Sequence, residues 1–316
     1  MRSYIHFTLE ERENLQLKRE AGKSIRQIAR EMSRSASSIS RELLRNFKKD
    51  GGYSAWWACG KYIRRRKRCR KRYRMSEPVL RRYVCTKLSC FWSPEIIAAK
   101  WNETHCKKLH HSTIYKAIRE QRLEGYTERE YLLRRGRRKY SHPTKSMPVH
   151  VEHSIHERPP EANTRSRFGD FEVDTIRGGN GDKGNILTCI DRRSRFLLMA
   201  LLPNRTAAKT ATAVCRMLKG HQVHSLTLDN GGEFSAYSQI EKALDTTVYF
   251  ADPHAPWQRG SIENINGILR FFFPKGMNLK DVTQEDLDLV ADLLNSRPRK
   301  CLGWLTPSDF IKQCCT

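Results

Sequence analysis

The excess positive charge of this 316-residue chain is confined to one half of it. Residues 1–150 hold 38 Lys and Arg against 14 Asp and Glu, whereas residues 151–316 hold 21 against 20. A solvated basic face accounts for a short Lys/Arg run but not for an imbalance of that size. The first half is therefore expected to meet nucleic acid, and the second, nearly neutral, to form a separate module. The length allows two or three domains with cores of their own.

Membrane and secretory classes are excluded early. The first thirteen residues have no apolar stretch, so no signal peptide is expected. The longest apolar run, 196–202, falls far short of the ~20 residues that cross a bilayer. The ten cysteines include no Cys-x-x-Cys pair, and Cys85, Cys90, Cys106 and His110 match no common zinc spacing. They are read as reduced, mostly buried thiols of a cytoplasmic, nucleoid-associated protein.

Local signals divide the chain into five stretches. Over 1–50, Thr8 with Glu11 forms a capping box, Gly22 ends the helix, and Ser24 starts a second in which Ile25, Ile28, Ala29 and Met32 recur at helical spacing. The turn Ser33-Arg34-Ser35 leads to a third helix, with Ile39, Leu43 and Leu44 on one side and Ser37, Ser38, Arg41 and Arg45 on the other. Two short helices, the second with an apolar back and a small, basic front, make a helix-turn-helix whose front reads DNA. Over 51–75 a basic helical connector is expected, since 61–74 holds ten Lys and Arg in fourteen positions. A second helix-turn-helix-like unit spans 76–125. Ser93-Pro94-Glu95 starts one helix, and Ser112 is expected to cap another that presents Thr113, Lys116 and Arg119. His105, His110 and His111 are read as surface loop residues. Residues 126–163, with four prolines and no periodicity, read as a linker.

From 164 to 316 the pattern becomes α/β. Strands are expected over 168–176, 185–190, 195–202, 225–228 and 247–250, and helices over 206–219, 238–244, 261–273, 283–295 and 306–312. The fold class is thus multidomain: an all-α, helix-turn-helix DNA-binding half, then an α/β domain with a mixed sheet covered by helices.

The acids of this domain suggest phosphodiester chemistry. Two Mg²⁺ ions, roughly 3.5–4 Å apart, can activate a nucleophile and stabilise the leaving oxyanion if a few carboxylates converge on them. Asp174 lies on the polar face of the first strand. Asp229 ends a central strand before Asn230-Gly231-Gly232, and Glu263 opens a helix with Asn266, Gly267 and Arg270 on the same face. Gly267 would let a DNA backbone approach, and Arg270 would hold a phosphate. Periodicity alone cannot separate Asp174 from Asp170 and Glu172, or Glu263 from Glu233 and Glu241.

The blocks Leu226-Thr-Leu-Asp-Asn-Gly-Gly-Glu-Phe234, Tyr249-Phe-Ala-Asp-Pro-His-Ala-Pro-Trp-Gln-Arg-Gly260 and Glu263-Asn-Ile-Asn-Gly-Ile-Leu-Arg270 resemble the insertion-sequence-thirty family of DDE transposases. So do Gly169-Asp-Phe-Glu-Val-Asp174, Leu294-Asn-Ser-Arg-Pro-Arg-Lys-Cys-Leu-Gly-Trp304 and, nearer the start, Ile39-Ser-Arg-Glu-Leu43 and Trp92-Ser-Pro-Glu95. Phe171 stands where Trp is commoner, and Ser261-Ile262 where Thr-Asn is usual. The resemblance implies a ribonuclease-H-like, integrase-type catalytic core with Asp174, Asp229 and Glu263 as ligands of two Mg²⁺, or Mn²⁺, and Arg270 as the basic residue of the site. Arg259 and Arg270 are counted among the DNA contacts. It further implies binding of terminal inverted repeats, two-metal cleavage, 3′-hydroxyl strand transfer into target DNA, and a homodimer or larger assembly. A non-catalytic DNA-binding repressor with a silent core is the rival, and a nuclease that never joins is the second.

Overall fold

The computed structural model describes residues 5–47, 52–69, 73–133, 153–179, 184–253 and 255–314. Part of the basic run (70–72) and half of the expected linker (134–152) lie outside the described residues. Two compact units result, Met1–Arg74 and Met75–Thr316.

In the first unit, α1 (Leu9–Glu20), α2 (Ile25–Glu31) and α3 (Ala36–Asn46) begin at Thr8, Ser24 and Ser35. Each of these hydroxyls accepts the backbone N–H three residues on, satisfying a donor that the first helical turn leaves open. Ser33, at φ 51°, turns the chain between α2 and α3. Phe7, Leu15, Ile28, Ala29 and Ile39 form the core. A buried ion pair supplements this small cluster: Arg12 Nε donates to Glu42 Oε1 at 2.7 Å, and Arg12 also donates to the Phe7 carbonyl. Leu44, grouped above with Ile39 and Leu43, is instead 78% exposed. Five residues past Ile39, it has rotated away from the core by more than a third of a turn. α4 (Ala55–Cys69), within the stretch expected to be a connector, packs on α1 and α3. The Ala55 amide donates to Gln16 Oε1, and Arg65 donates to Asn46 Oδ1 at 2.7 Å.

The second unit opens with α5 (Pro78–Ser89), α6 (Pro94–Thr104) and α7 (His111–Arg119). Leu80, Val84, Leu88, Ile97 and Ile114 are fully buried among them. The long loop between α6 and α7 is closed by Asn102, which accepts from the Leu109 amide at 2.6 Å and donates to the Leu109 carbonyl at 2.9 Å. The α7 cap is His110, whose ring nitrogen accepts from the Ser112 amide, and not Ser112 itself. His111 belongs to α7, and His105 stacks on Trp101 with ring centroids 3.5 Å apart. α8 (Glu128–Tyr131) and α9 (Pro160–Thr164) follow.

A five-stranded mixed sheet comes next. β1 (Asp170–Arg177), β2 (Asn185–Asp191) and β3 (Leu197–Leu202) form an antiparallel meander. α10 (Ala207–Leu218) crosses to β4 (Ser225–Leu228), and α11 (Tyr237–Leu244) to β5 (Thr247–Phe250). Both late strands run parallel to β1, giving the order β3-β2-β1-β4-β5. α12 (Gly260–Phe272), α13 (Gln284–Asn295) and α14 (Pro307–Cys314) complete the chain. This is the ribonuclease-H-like α/β arrangement expected from the sequence. Alternation along β1 divides the core in two. Phe171 and Val173 pack with α10 and α11, while Ile176 packs with α12 and α13. α13 also covers the edge strand: Asn295 accepts from the Leu197 amide and donates to its carbonyl, and Gln284 engages Leu201 and Met199. The Phe250 amide donates to the His153 carbonyl, so residues upstream of 164 already belong to the folded core.

The thiols depart from expectation. Of the nine described cysteines, all free, only Cys189 is buried, and Cys69, Cys90, Cys106, Cys301 and Cys314 are exposed. Most sit on helices or loops outside the two sheet cores.

Candidate active site

Every second residue of β1 faces α12, which brings Asp170, Glu172 and Asp174 to one side of the sheet. Burial and partners separate them. Asp170 accepts from Arg167 and from the Ser225 hydroxyl and has no exposed surface. Glu172, equally buried, pairs with Arg192 through one oxygen, and its other accepts from the Ile262 amide at 2.8 Å. A carboxylate placed there satisfies an open amide of the first turn of α12 and suits its dipole. Glu233 accepts from Thr175 and pairs with Arg205, and Glu241 accepts from the Val248 amide. All four competing acids are thus committed to other protein groups.

Asp174 is held differently. Its Oδ1 accepts from the Thr175 amide at 2.7 Å and its Oδ2 from Asn266 Nδ2 at 2.9 Å, with Asn266 fixed in turn by the Thr188 hydroxyl. Asp229 follows β4, which lies beside β1. Its Oδ1 accepts from the Gly231 amide at 3.1 Å. A Cβ on Gly231 would meet Asp229 Oδ1 at 2.9 Å and Glu233 Oε2 at 2.5 Å, so any side chain here would push on both carboxylates. Glu263 stands exposed in the first turn of α12, and Gly267 leaves open space one turn on. Burial pushes the Asp174 pKa up to about 6, against the attraction of Arg259, and the charges of Asp229 and Glu263 push it the same way. Asp174 thus lies within the field of both other acids.

Arg259 completes it. Its guanidinium lies 3.8 Å from Asp174 Oδ2 and 3.5 Å from Asp229 Oδ2, and donates to the Val173 carbonyl. Expected to face DNA, it is only 7% exposed, because the 3₁₀ turn Pro256–Arg259 aims it inward. Hard carboxylate and amide oxygens of this kind suit Mg²⁺ or Mn²⁺. Among the described residues, no three His, Cys, Asp or Glu side chains are gathered closely enough to hold one ion, and Arg259 supplies the positive charge between the carboxylates. Arg270 donates to the Arg177 carbonyl at 2.9 Å, and burial lowers its pKa.

A transposase for an insertion sequence element of Bacteroides fragilis is 35% identical over 98% of this chain and 96% of its own length. The InsI transposase of the IS30A element of Escherichia coli is 34% identical over 99% of this chain and 85% of its own. The chain belongs to the IS30 family of transposases. Another relative, the transposase of IS1086 from Cupriavidus metallidurans, is 35% identical over 96% of this chain and 93% of its own. The helix-turn-helix domain family matches residues 3–46 of this IS30-family chain. Among solved structures, the catalytic core domain of BIV integrase covers 46% of this chain and 96% of its own at 19% identity and a TM-score of 0.36.

The DNA-facing residues expected from sequence sit on two helices of this transposase. On α3, Ser37, Arg41 and Arg45 are exposed and Ser38 is half-buried, while Arg41 Nε donates to the Ser37 carbonyl. On α7, Lys116 and Arg119 are exposed and Thr113 is half-buried. The structure also reveals partners the sequence reading missed: Glu172 as the anchor of α12, and Arg158, buried, donating to the Thr227 hydroxyl at 3.0 Å. The α12 anchor had a faint signal, since Glu172 alternates in phase with Asp174. Arg158 had none, because its partner is 69 residues away. No helix among the described residues is long and apolar enough to cross a membrane.

Proposed function

We propose that this transposase cleaves and joins DNA at a DDE site formed by Asp174, Asp229 and Glu263. The observation that carries the reading is that Asp174 of β1 and Asp229 after β4 meet on the Arg259 guanidinium, with Asn266 of α12 bonded to Asp174, while the competing acids are engaged elsewhere. A bound pair of Mg²⁺ ions, with Mn²⁺ as a substitute, supplies Lewis-acid charge and a nucleophile at neutral pH. Asp174, Asp229 and Glu263 would hold the pair. Asn266 orients Asp174, and Glu172 fixes the start of the helix that carries Glu263. Arg259 balances the two strand carboxylates, and Arg270, beside them, orients a DNA phosphate.

The α3 and α7 faces bind the terminal inverted repeats. Water first hydrolyses one phosphodiester to leave a 3′-hydroxyl. That hydroxyl then attacks a phosphodiester of target DNA in line, forming the new P–O bond as the old one breaks. Holding two ends calls for at least two copies of the chain.

The test incubates the purified protein with labelled end DNA and a target duplex, in Mg²⁺ and in EDTA. Joined products are expected in Mg²⁺ alone. Asp229→Asn should bind end DNA as before and lose cleavage and joining by roughly 10²–10³-fold or more. Strand transfer by that variant at the parent rate overturns the assignment.

A further inference from the structure

A partly open cavity of about 350 Å³ lies inside Met75–Thr316; none of the three acids lines it, though Asn264, next to Glu263, does. One wall is α7 and its neighbours, with Phe91, Tyr115 and Tyr131, and the other is Ile268 of α12 and Arg297 and Arg299 from the segment after α13. Its size is at the lower end of the roughly 300–1,000 Å³ of small-ligand sites. Its charge is positive, since two arginines line it against one acid, Glu95, which accepts from the Tyr115 hydroxyl at 2.9 Å.

Arg299 is the unusual element. Its backbone is pinned by bonds with Trp304 and Leu305, and its side chain donates once, to the Leu294 carbonyl at 3.1 Å. Its Nε is buried without a hydrogen-bond partner, and the charges that act on it come from Cys301 and Arg195 and not from a carboxylate. Burial pushes its pKa down to about 10. A half-buried guanidinium with one donor unmet and no carboxylate partner is well satisfied by an anion that reaches its open side. Phosphate fits its fork of donors, and aromatic rings beside it offer stacking surfaces to a base.

From this combination of an uncompensated guanidinium, aromatic walls and a place between α7 and α12, we infer that the cavity receives one nucleotide of a DNA strand swung out of its stack. Its phosphate meets Arg299 and its base lies against Tyr115 and Tyr131. The inference rests on the function proposed above, in which α7 reads end DNA and α12 carries Glu263. An end bound to both helices must pass the cavity, and an unpaired nucleotide there would hold the strand at a fixed distance from the cut.

The test uses the full chain and end duplexes with one altered position at a time. A mismatch lowers the cost of unstacking, so one position near the cleaved bond should tighten binding on the order of ten-fold, and the others should not. A methylphosphonate beside that position should weaken binding about ten-fold in the parent but not in Arg299→Gln, with Arg299→Lys restoring part of the sensitivity. 5-Iodouracil at the same position, which needs no variant, should crosslink to Tyr115, Tyr131 or Phe91. Specific binding and Mg²⁺-dependent joining without any position-dependent effect, or with crosslinks only elsewhere, overturns the pocket and leaves the transposase reading intact. Loss of both binding and joining overturns both. Filling of the cavity by free deoxynucleoside monophosphate, with no sensitive position in DNA, overturns the strand as its source.

Discussion

The two units use arginine in opposite ways. In Met1–Arg74 one arginine, Arg12, is buried against Glu42 to hold a small core, while Arg41 and Arg45 stay in water on α3. In the sheet domain Arg158, Arg192 and Arg259 all turn inward, toward Thr227, Glu172 and the Asp174–Asp229 pair. Near-neutrality of the second half is therefore no sign of a featureless surface. It reflects a network in which acids gathered at one place are balanced by arginines gathered around them. The first half leaves its charge unbalanced because DNA is to balance it.

The comparison can be broken most severely at Arg12. Replacing it with Met leaves the buried Glu42 carboxylate with only a 3.3 Å hydrogen bond from the Tyr53 hydroxyl and no counter-charge, at a cost of about 3 kcal/mol. Urea denaturation of the full chain should show the first unit unfolding early, with end binding lost and the sheet domain still folded. An unchanged transition would mean that the five apolar residues suffice.

Asp174 offers the opposite case, a carboxylate whose charged form is disfavoured by burial. Its folded pKa, about 6, lies above the unfolded value of 3.8. Between those values the native state binds more protons, so its contribution to stability falls as pH rises and is fully unfavourable above about pH 6, by about 3 kcal/mol. Asp174→Asn, mimicking the neutral acid, should raise the melting temperature of metal-free protein at pH 8 and have little effect at pH 4. Mn²⁺ should raise the melting temperature of the parent and not that of the variant. A lower melting temperature for the variant at pH 8 would show the acid to be structural.

Arg41 should matter only to DNA. Arg41→Ala should leave stability unchanged and cost about 1–3 kcal/mol of specific end binding, read in a competition assay against unrelated duplex. An equal loss on both duplexes would demote it to a phosphate contact. The smallest effect is expected at Leu44, where replacement by Gln should change stability by less than about 0.5 kcal/mol. A larger loss would mean that something covers this exposed side chain.

Legibility followed the range of the interactions. The caps at Thr8, Ser24 and Thr283 join residues three apart, and the sequence read the helices they start without error in kind. The α7 cap went to His110 because its ring accepts from the Ser112 amide and so starts the helix two residues earlier, and the loop before it closes on Asn102. β1 was readable by alternation, but alternation gave three acids on one face and no means of choosing among them.

The amino-acid sequence by itself determined the order of elements, the basic first half, the helix-turn-helix and a short set of candidate acids, because these depend on composition and on neighbours within a few residues. Only the tertiary structure decided which acids are committed and which way Arg259 points. Glu172 meets Ile262 across 90 positions, Asn266 meets Asp174 across 92, and Asn295 meets Leu197 across 98. The physical reason is that burial fixes the charge and partners of a side chain, and burial is set by which distant segments pack over it.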